Sequence, residues 1–453
     1  MSKLDELIRE YCPDGVEYKT LGEIATDVFR GSGIKREQVT ETGIPCVRYG
    51  EIYTTYDIWF DHCVSHTNES LITNPKYFGY GDILFAITGE SVEDIAKSCA
   101  YVGHEKCLAG GDIVVLKHHE NPKYLSYALA TEAARKQKSA GKVKSKVVHS
   151  SVPAIKGIKI PVPPLPVQGE IVRILDNFTE LTAELTAKLT AELTTREKQY
   201  EYYQDLLLTF DSPDSSILTN ERTNEVIWKT LEELGSFYGG ITGKSKDDVE
   251  FVPLWSVTAW DKKFNTVDKS MQTKVYKYPV LLAKDLFAMQ QNKGNVFLLS
   301  TGTETGWTTE EIAEDYLCEG EVVTLPWGKS SPVKGLIKYY NGKFVTGDNR
   351  IATSLDTEKL LNKYLYYWMV KHGDLIDTFY RGSGIKHPNM LQVLTLKIAL
   401  PPLAVQREIV RILDNFTEFR TELTAELTAE LTARRKQYEY YRDKLLTFKE
   451  RKR

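Results

Sequence analysis

The sequence lacks several features that would place it in a class of protein at once. No run approaches the roughly 18 consecutive apolar residues of a membrane-spanning helix, and the opening MSKLDELIRE is charged where a signal peptide would be apolar. The cysteines are scattered and show no paired spacing of the kind that binds metals. They are Cys12, Cys46, Cys63, Cys99, Cys107 and Cys318. We therefore expect reduced thiols in a cytoplasmic protein.

Catalytic and cofactor motifs are also missing. GGITGKS (residues 239–245) resembles a nucleotide-binding P-loop, but the position where that motif needs its first glycine is Tyr238. Asn-Pro-Lys-Tyr occurs at Asn74–Tyr77 and at Asn121–Tyr124 without the second proline of an amino-methyltransferase motif. No glycine-rich adenosylmethionine loop accompanies it, so we interpret both copies as turns before an aromatic residue. The eight histidines show no zinc-protease spacing. We expect no cofactor, no metal and no catalysis on this chain.

The overall charge gives no sign of a nucleic-acid partner. The 453 residues carry a formal net charge of −4, whereas a strongly basic domain is the usual mark of nucleic-acid binding. With 42% hydrophobic and 26% charged residues, the composition is that of a globular protein long enough for two domains. Any basic surface must therefore be local.

The chain contains two copies of one plan. PPLPVQGEIVRILDNFTEL, starting at Pro163, returns after a constant offset of 238 residues as PPLAVQREIVRILDNFTEF, and KQYEYYQDLLLTF, ending at Phe210, returns as KQYEYYRDKLLTF, ending at Phe448. A weaker likeness joins GDILFAITG (Gly81–Gly89) to GNVFLLSTG (Gly294–Gly302). Each half is thus a divergent module followed by a nearly invariant helical segment.

An apolar stripe runs along each repeated segment at helical spacing. In the first copy it extends from Ile171 to Leu207 and includes the leucines of a Thr-Ala-Glu-Leu array. Such a helix, about 64 Å long, needs a partner stripe. We expect the two copies to pair antiparallel, with looser packing near the charged Arg196. The expected pairing residues are Leu181, Leu185, Leu189, Leu193, Leu423, Leu427 and Leu431. The alternative is that each helix packs onto its own module.

Local basic segments offer candidate phosphate contacts. Arg135–Lys159 has eight Lys or Arg and no acid, and its counterpart Tyr380–Ile398 also lacks acids. Both begin with loop-like composition and end in residues typical of a strand. A second pair of Gly-rich loops is Phe29–Glu37 and residues 238–246. The candidate DNA-contacting residues are Arg30, Ser32, Lys35, Arg36, Arg48, Lys142, Lys144, Lys146, Lys244, Lys246, Arg381 and Lys386. The alternative is an ordinary solvated surface.

The duplicated segment resembles the specificity subunit of type I restriction-modification systems. The resemblance covers essentially the whole chain, and the Pro-Pro-Leu…Gln…Ile-Val…Leu-Asp pattern that carries it occurs twice. Thr-Ala-Glu-Leu arrays are typical of one branch of that family. The implied fold is α+β, with two α/β target recognition domains separated by a long antiparallel helical coiled coil and related by a pseudo-twofold repeat. The implied domains are 1–160 and 213–398 for recognition, with conserved helices at 161–212 and 399–453.

The resemblance also implies partners. Each module would recognise one half of a split asymmetric DNA site, and the helices would set the gap and bind two modification subunits that methylate adenine. Two restriction subunits would add translocation and cleavage. S-adenosylmethionine, ATP and Mg²⁺ would be bound by those partner subunits. Two alternatives remain: a catalytically active methyltransferase or nuclease, and a coiled-coil scaffold that does not bind DNA.

Overall fold

The chain folds into two compact units that each combine a globular module with parts of two long helices. The computed structural model describes residues 2–141, 147–210, 239–242, 249–303, 305–329 and 331–451. Unit 1 comprises Met1–Thr190 and Glu426–Arg453, and unit 2 comprises Ala191–Ala425. The central helix spans Leu165–Leu208 and the C-terminal helix spans Leu403–Leu445, so each helix contributes to both units.

Unit 1 contains two five-stranded sheets. In spatial order the first consists of Asp27–Arg30, Ile113–Lys117, Ile83–Ala86, Ser98–Tyr101 and Trp59–Phe60. The second consists of Val39–Thr40, Ser65–Thr67, Ile44–Val47, Cys107–Ala109 and Tyr77–Phe78. The strands Ile83–Ala86 and Ile113–Lys117 are central and almost wholly buried, which explains their continuous apolar sequences.

The shorter elements of unit 1 connect its sheets to the helices. Two-stranded sheets pair Tyr18–Thr20 with Lys159–Pro161 and Thr88–Gly89 with Val148–His149. The α-helices are Lys3–Tyr11, Leu21–Ile24, Tyr49–Thr54, Pro122–Leu129, Glu132–Ser139 and Val152–Lys156. Short 3₁₀ helices span Arg36–Gln38 and Glu69–Leu71.

Unit 2 is built around one six-stranded sheet. Its strands, in spatial order, are Thr258–Trp260, Asn349–Ser354, Cys318–Pro326, Lys338–Thr346, Val296–Leu299 and Gly306–Thr308. Two-stranded sheets pair Glu250–Pro253 with Lys397–Leu400 and Tyr380–Arg381 with His387–Pro388. The α-helices are Leu254–Val257, Ala283–Ala288, Glu310–Ala313, Asn362–Lys371, Gly373–Asp377 and Met390–Thr395. Short 3₁₀ helices span Lys269–Met271, Glu314–Tyr316 and Val333–Gly335.

The two long helices pair antiparallel within each unit. In unit 2 the ring of Tyr203 stacks on Phe416 at 4.8 Å between centroids. The ring of Tyr200 lies 5.3 Å from the guanidinium of Arg420. Residue numbers therefore fall along one helix as they rise along the other. In unit 1 Phe178 stacks on Tyr441 at 5.8 Å. The predicted α+β class with duplicated modules and long antiparallel helices is confirmed.

Each long helix also packs onto its own module, so the two arrangements considered from sequence are both present. Val167, Ile171 and Leu175 of the central helix are buried in one core with Tyr124 and Tyr127 of the first globular module (residues 1–160, called module 1). In unit 2 the equivalent helix residues Val405, Ile409 and Leu413 share a core with Tyr364 and Tyr367. The start of each helix is therefore fixed to the module that precedes it.

The same set of polar contacts occurs in both units and explains the glutamine that is repeated in the two copies of the Pro-Pro-Leu segment. In unit 1 Gln168 accepts a hydrogen bond from the backbone of Asn121 (3.0 Å) and donates to the Pro163 carbonyl (2.7 Å). In unit 2 Gln406 accepts from the backbone of Leu361 (2.9 Å) and donates to Pro401 (2.8 Å). Both side chains are fully buried, so their amides need these partners.

A second set of polar contacts, also present in both units, explains the repeated aspartate. Asp176 accepts from the Tyr127 hydroxyl (2.7 Å) and pairs with Lys123 (2.7 Å). Asp414 accepts from the Tyr367 hydroxyl (2.6 Å) and pairs with Lys363 (2.8 Å). Each module supplies these partners from one Lys-Tyr-Leu-X-Tyr sequence, at residues 123–127 and 363–367. The interpretation of the second Asn-Pro-Lys-Tyr motif as a turn is wrong, because this motif begins the helix Pro122–Leu129, with Asn121 as its N-cap.

The Thr-Ala-Glu-Leu arrays are continuous helix with uneven burial. Threonine hydroxyls at Thr182 and Thr186 each donate 2.8 Å bonds to the carbonyl four residues earlier, so they satisfy themselves within their own helix. Leu427 is buried, and five of the predicted pairing leucines are half-buried. These five are Leu185, Leu189, Leu193, Leu423 and Leu431. Leu181 is 63% exposed, so its assignment to helix pairing is wrong.

The end of the chain closes onto module 1 within unit 1. The backbone of Val16 donates to Lys449 and accepts from Arg451, both at 2.9 Å. Glu450 forms an ion pair with Lys159 at 2.8 Å, and the Tyr18 hydroxyl donates to the Phe448 carbonyl at 3.1 Å. Unit 1 is thus assembled from both ends of the chain.

Candidate nucleic-acid interface

Three segments of module 1 meet at Gly110. The backbone of Ser32 donates to the Ala109 carbonyl at 2.9 Å, and the backbone of Gly110 donates to the Val47 carbonyl at 2.8 Å. A Cβ at Gly31 would overlap the Gly110 carbonyl oxygen, and one at Gly110 would lie 3.3 Å from the Arg48 Cα. The structure therefore brings the predicted loop Phe29–Glu37 and the strand Ile44–Val47 together. The turn that joins them was not predicted from the sequence.

The cations at this junction fall into paired and unpaired groups. Arg30 pairs with Asp112 at 2.6 Å and also donates to the Gly111 carbonyl. Arg48 pairs with the buried carboxylate of Glu51 at 2.9 Å. Lys35 and Arg36 are exposed, and the described part of the chain gives them no ion-pair partner. Ser32 is buried, with its hydroxyl donating to the Asn74 carbonyl, so it serves the loop's own structure.

The described parts of the basic segment Arg135–Lys159 have more regular secondary structure than the sequence indicated. Its first residues lie in the helix Glu132–Ser139, and Val152–Lys156 forms another helix, so the predicted loop-like start is wrong. The predicted return to a strand is confirmed at Lys159–Pro161. Thr131 caps the first helix through the Ala134 amide, which the sequence pattern did not reveal. Lys142, Lys144 and Lys146 lie outside the described residues.

One lysine of this segment points into the core. Lys138 is buried, its Nζ donates to the Ser98 hydroxyl at 3.1 Å, and it lies 5.8 Å from the centroid of the Phe85 ring. Burial lowers the pKa of Lys138 to about 7, and the charge of Arg135 acts in the same direction. Lys138 is thus unavailable to phosphate.

In unit 2 the candidate residues occupy an exposed hairpin. Tyr380–Arg381 pairs with His387–Pro388, and Gly382 adopts a φ of 137°, which favours glycine. Arg381 and Lys386 are exposed, and Arg381 donates to the Tyr380 carbonyl at 3.1 Å. Neither forms an ion pair within the described ranges. Lys244 and Lys246 lie outside those ranges.

A neighbouring segment anchors this hairpin. The buried Tyr380 hydroxyl donates to the Pro326 carbonyl at 2.6 Å, and the backbone of Lys329 donates to Lys386 at 3.3 Å. The Lys329 ammonium pairs with Asp377. The hairpin is therefore held by its base while its loop stays accessible.

The two loops share a hexapeptide that was not predicted to be common to both. Arg-Gly-Ser-Gly-Ile-Lys occupies residues 30–35 and again residues 381–386, each time after an aromatic residue. The separation is 351 residues, so a comparison at the constant offset of 238 did not reveal it. Comparing every segment of the chain with every other would have found it. Two otherwise divergent modules thus present the same loop sequence.

The described residues hold no metal cluster and no membrane span. They contain no group of three or more His, Cys, Asp or Glu side chains that could hold a metal ion. Among them, no helix has the length and apolarity required to cross a membrane. All six cysteines are buried free thiols.

The fold defines a class of protein in which two unlike modules are carried by near-identical paired helices. The family model described as "Type I restriction modification DNA specificity domain" matches residues 13–195 and 246–433. These matches cover most of the chain. The chain therefore belongs to the type I restriction-modification DNA specificity family and carries two copies of its domain, which confirms the resemblance seen in the sequence.

Individual relatives agree with this assignment. The chain is 31% identical over 313 residues to the type I restriction enzyme EcoR124I/EcoR124II specificity subunit of Escherichia coli, covering 65% of this chain and 63% of that protein. It is 30% identical over 319 residues to the putative type I restriction enzyme specificity subunit S.HindORF215P of Haemophilus influenzae, covering 68% of each. A solved structure concerned with complex assembly and conformational transition of the type I R-M system has a TM-score of 0.61 at 14% identity, over 95% of this chain and 97% of that one. This last likeness concerns the fold alone.

Proposed function

We propose that this chain is the DNA specificity subunit of a type I restriction-modification complex and that each module recognises one half of a bipartite asymmetric DNA site. The observation that carries the proposal is the contrast between the two unlike sheet arrangements and the near-identical helix segments that hold them. Different modules suit different half-sites, whereas identical helices suit a common frame. A plain scaffold gives no reason for this contrast.

The paired helices would set the gap between the half-sites and bind two modification subunits. The equivalent contacts of Asp176 and Asp414 support this role, because each aspartate joins a module to its helix through the same hydrogen bond. A change in helix length would then also move the module, because these contacts hold the module to the helix.

The exposed hexapeptide loops support contact with DNA. Lys35, Arg36, Arg381 and Lys386 are exposed cations on glycine-rich loops, a combination suited to phosphate oxygens. Because the hexapeptide is the same in both modules, it suits the part of DNA that does not vary with sequence. Base recognition would come from the residues that differ between modules.

The chain would itself be non-catalytic. Its family membership supports this, since the matched domain is a DNA specificity domain. Adenine methylation with S-adenosylmethionine would belong to the modification subunits, and ATP- and Mg²⁺-dependent translocation and cleavage to two restriction subunits.

Module exchange tests the proposal. Replacing residues 1–160 by the corresponding module of a family member with a different known site should change one half of the methylated sequence and preserve the other half and the gap. Methylome sequencing of cells that carry the hybrid with its modification subunit provides the measurement.

The matched control replaces residues 249–398 instead, which should change only the opposite half-site. If either hybrid altered both half-sites, the modules would not recognise DNA independently and the proposal would be wrong.

A further inference from the structure

The hairpin of unit 2 carries an isoleucine at its surface. Ile385 lies in the loop of residues 382–386, which joins Tyr380–Arg381 to His387–Pro388, and its side chain is 70% exposed. Among the large apolar side chains that the structure describes, this is the highest exposed fraction. Because burial of apolar surface is favourable, a partner that covers Ile385 gains affinity from it.

The other copy of the hexapeptide places the same residue in a different environment. Ile34 has the equivalent position in unit 1, where it is half-buried and packs against the cluster of Cys46, Ile72 and Leu108. The two loops therefore share this isoleucine but differ in what it can contact. By its exposure, Ile385 belongs with the features that vary between the modules.

A neighbouring glycine positions the Ile385 side chain. A Cβ at Gly328 would lie only 2.6 Å from the Ile385 Cγ2 atom and 3.7 Å from Cε1 of His387. The isoleucine therefore rests against backbone at a point where a larger residue would displace it. The backbone hydrogen bond from Lys329 to the Lys386 carbonyl, 3.3 Å long, holds the same two segments together. Ile385 is thus supported on one side and presents its other side to the surface.

Cations border this apolar side chain. Arg381 precedes the loop and Lys386 ends it, and both are exposed without an ion pair inside the described ranges. Lys262 is exposed as well, and its Nζ lies 4.6 Å from the centroid of the Trp327 ring. That ring lies 5.0 Å from the ring of His387, which directly follows the loop. The apolar group therefore lies within a basic surface.

The charge of this surface indicates a nucleic acid as the occupant. Two carboxylates of the region are already engaged, because Asp377 pairs with Lys329 and Asp261 pairs with Arg350. The exposed cations are thus left for an external anion, and phosphate oxygens are the anions that position proteins on DNA. An apolar pocket of a protein would not match the cations around Ile385.

The shape of the hairpin indicates which part of DNA the isoleucine meets. A two-stranded ribbon enters the major groove of B-DNA, which is about 12 Å wide, whereas the minor groove is only about 6 Å wide. The base edges in the major groove present hydrogen-bonding groups and one apolar group, the 5-methyl group of thymine. An exposed isoleucine has no hydrogen-bonding atom in its side chain, so this methyl group is its match.

We propose that Ile385 is a specificity-determining residue and contacts the 5-methyl group of one thymine in the half-site that the module of unit 2 recognises. Arg381 and Lys386 contact the phosphates beside it. This inference rests on the proposed function, because it presupposes that the chain recognises a bipartite DNA site. It adds the side chain that recognises a base and the group on the base that it contacts.

Replacement of thymine by uracil tests the contact, because uracil lacks only the 5-methyl group. The complex of the full-length chain with its modification subunit is titrated with duplexes of its methylated site in which each thymine in turn is replaced, and fluorescence anisotropy gives the affinities. At one thymine of the unit 2 half-site, identified by module exchange, the unaltered complex should lose about 4-fold in affinity, as expected for one buried methyl group. The complex with Ile385→Ala should bind both duplexes equally.

Three further variants make the result specific. Ile312→Ala is the matched control, because Ile312 is an exposed isoleucine of the same unit in the helix Glu310–Ala313, and it should keep the loss at that thymine. Lys386→Ala should also keep it, but should lower the slope of log affinity against log salt by up to about 1. Gly328→Ala should reduce the loss, because its Cβ displaces Ile385. Circular dichroism verifies that each variant folds.

The possible outcomes separate this assignment from the proposed function. A complex with Ile385→Ala that keeps the unaltered loss at every thymine would overturn the assignment, and so would a unit 2 half-site in which no thymine is sensitive. Weaker binding of the modification subunit by Ile385→Ala, with thymine discrimination unchanged, would mean that the occupant is a protein and would also overturn it. An unaltered complex that binds its methylated site no better than other DNA would instead contradict the proposed function.

Discussion

At the residue scale, the cations assigned to DNA contact are not equally free to make it. Arg30 and Arg48 already pair with Asp112 and Glu51, so a phosphate must compete with a carboxylate at 2.6 or 2.9 Å. Lys35 and Arg36 belong to the same part of module 1 but are exposed without such partners in the described residues. Phosphate affinity should therefore depend on the second pair more than on the first.

Replacing Lys35 and Arg36 together by Ala should weaken DNA binding on all sequences alike. Because each phosphate contact releases counterions, the slope of log affinity against log salt should fall by up to about 2, roughly one for each cation removed. Arg48→Ala should change that slope less.

The triple replacement of Lys142, Lys144 and Lys146 by Ala should lower the slope by up to about 3. Fluorescence anisotropy across a salt series measures these slopes, and a changed recognition sequence at constant affinity would contradict the assignment.

Lys138 shows how one buried charge can make stability depend on pH. Its ammonium donates to the Ser98 hydroxyl, and burial brings its pKa from the usual 10.5 to about 7. Between these two values the unfolded chain binds a proton that the folded chain does not. This group therefore raises the free energy of unfolding as pH rises from about 7 towards 10.5.

Lys138→Met should remove the buried charge while it keeps the length of the side chain. At pH 7 we expect the free energy of unfolding to increase by about 2 kcal/mol, and the gain should shrink steadily as the pH approaches 10. Urea denaturation at several pH values gives the difference between variant and unaltered chain. Lys136→Met, at an exposed position of the same helix, serves as the control and should show no comparable trend. An equal gain at pH 7 and pH 9.5 would show that Lys138 is not buried in this way.

At the element scale, the elements that follow a repeated sequence pattern could be predicted. The apolar stripe located both long helices, and the similar segments GDILFAITG and GNVFLLSTG each contain a strand, Ile83–Ala86 and Val296–Leu299. Leu181 failed because a four-residue repeat advances about 400° per unit in a helix of 3.6 residues per turn, so successive leucines drift by about 40°. A strict array therefore cannot keep every leucine in one interface.

Other contacts could not be predicted because the residues that form them lie far apart in the sequence. The ion pair between Lys123 and Asp176 joins residues that are 53 apart in the sequence, and neither side chain alone indicates its partner. The looser packing expected near Arg196 stays a prediction. The Arg196 guanidinium lies 5.3 Å from the Phe419 ring and pairs with Glu192 at 3.0 Å. A charge in an apolar stripe can thus cover a ring.

At the scale of the whole molecule, two units of equivalent construction arise from different parts of the chain. Unit 2 is one continuous stretch, whereas unit 1 joins Met1–Thr190 to Glu426–Arg453. In unit 1 the backbone hydrogen bonds of Val16 with Lys449 and Arg451 connect these two stretches. The repeat thus gives each module the same pair of helix segments, one from its own half of the chain and one from the other.

This construction makes a graded prediction for helix length. Deleting Thr190–Leu193 shortens the central helix by about 6 Å and turns its C-terminal remainder by a net angle of about 40°, so the apolar stripe keeps its phase. One base pair of DNA is about 3.4 Å along the axis, and the expected result is the same two half-sites with a gap changed by one or two base pairs. Deleting only Thr190 and Ala191 turns the rest of the helix by about 200°.

The shorter deletion would carry Tyr203, which stacks on Phe416, and the buried Leu207 away from the partner helix. That variant should fail to assemble or lose methylation at every spacing, although it removes fewer residues. Methylome sequencing of both variants with the modification subunit decides between these outcomes. Equal tolerance of the two deletions would mean that helix phase does not matter and that the paired helices do not set the gap.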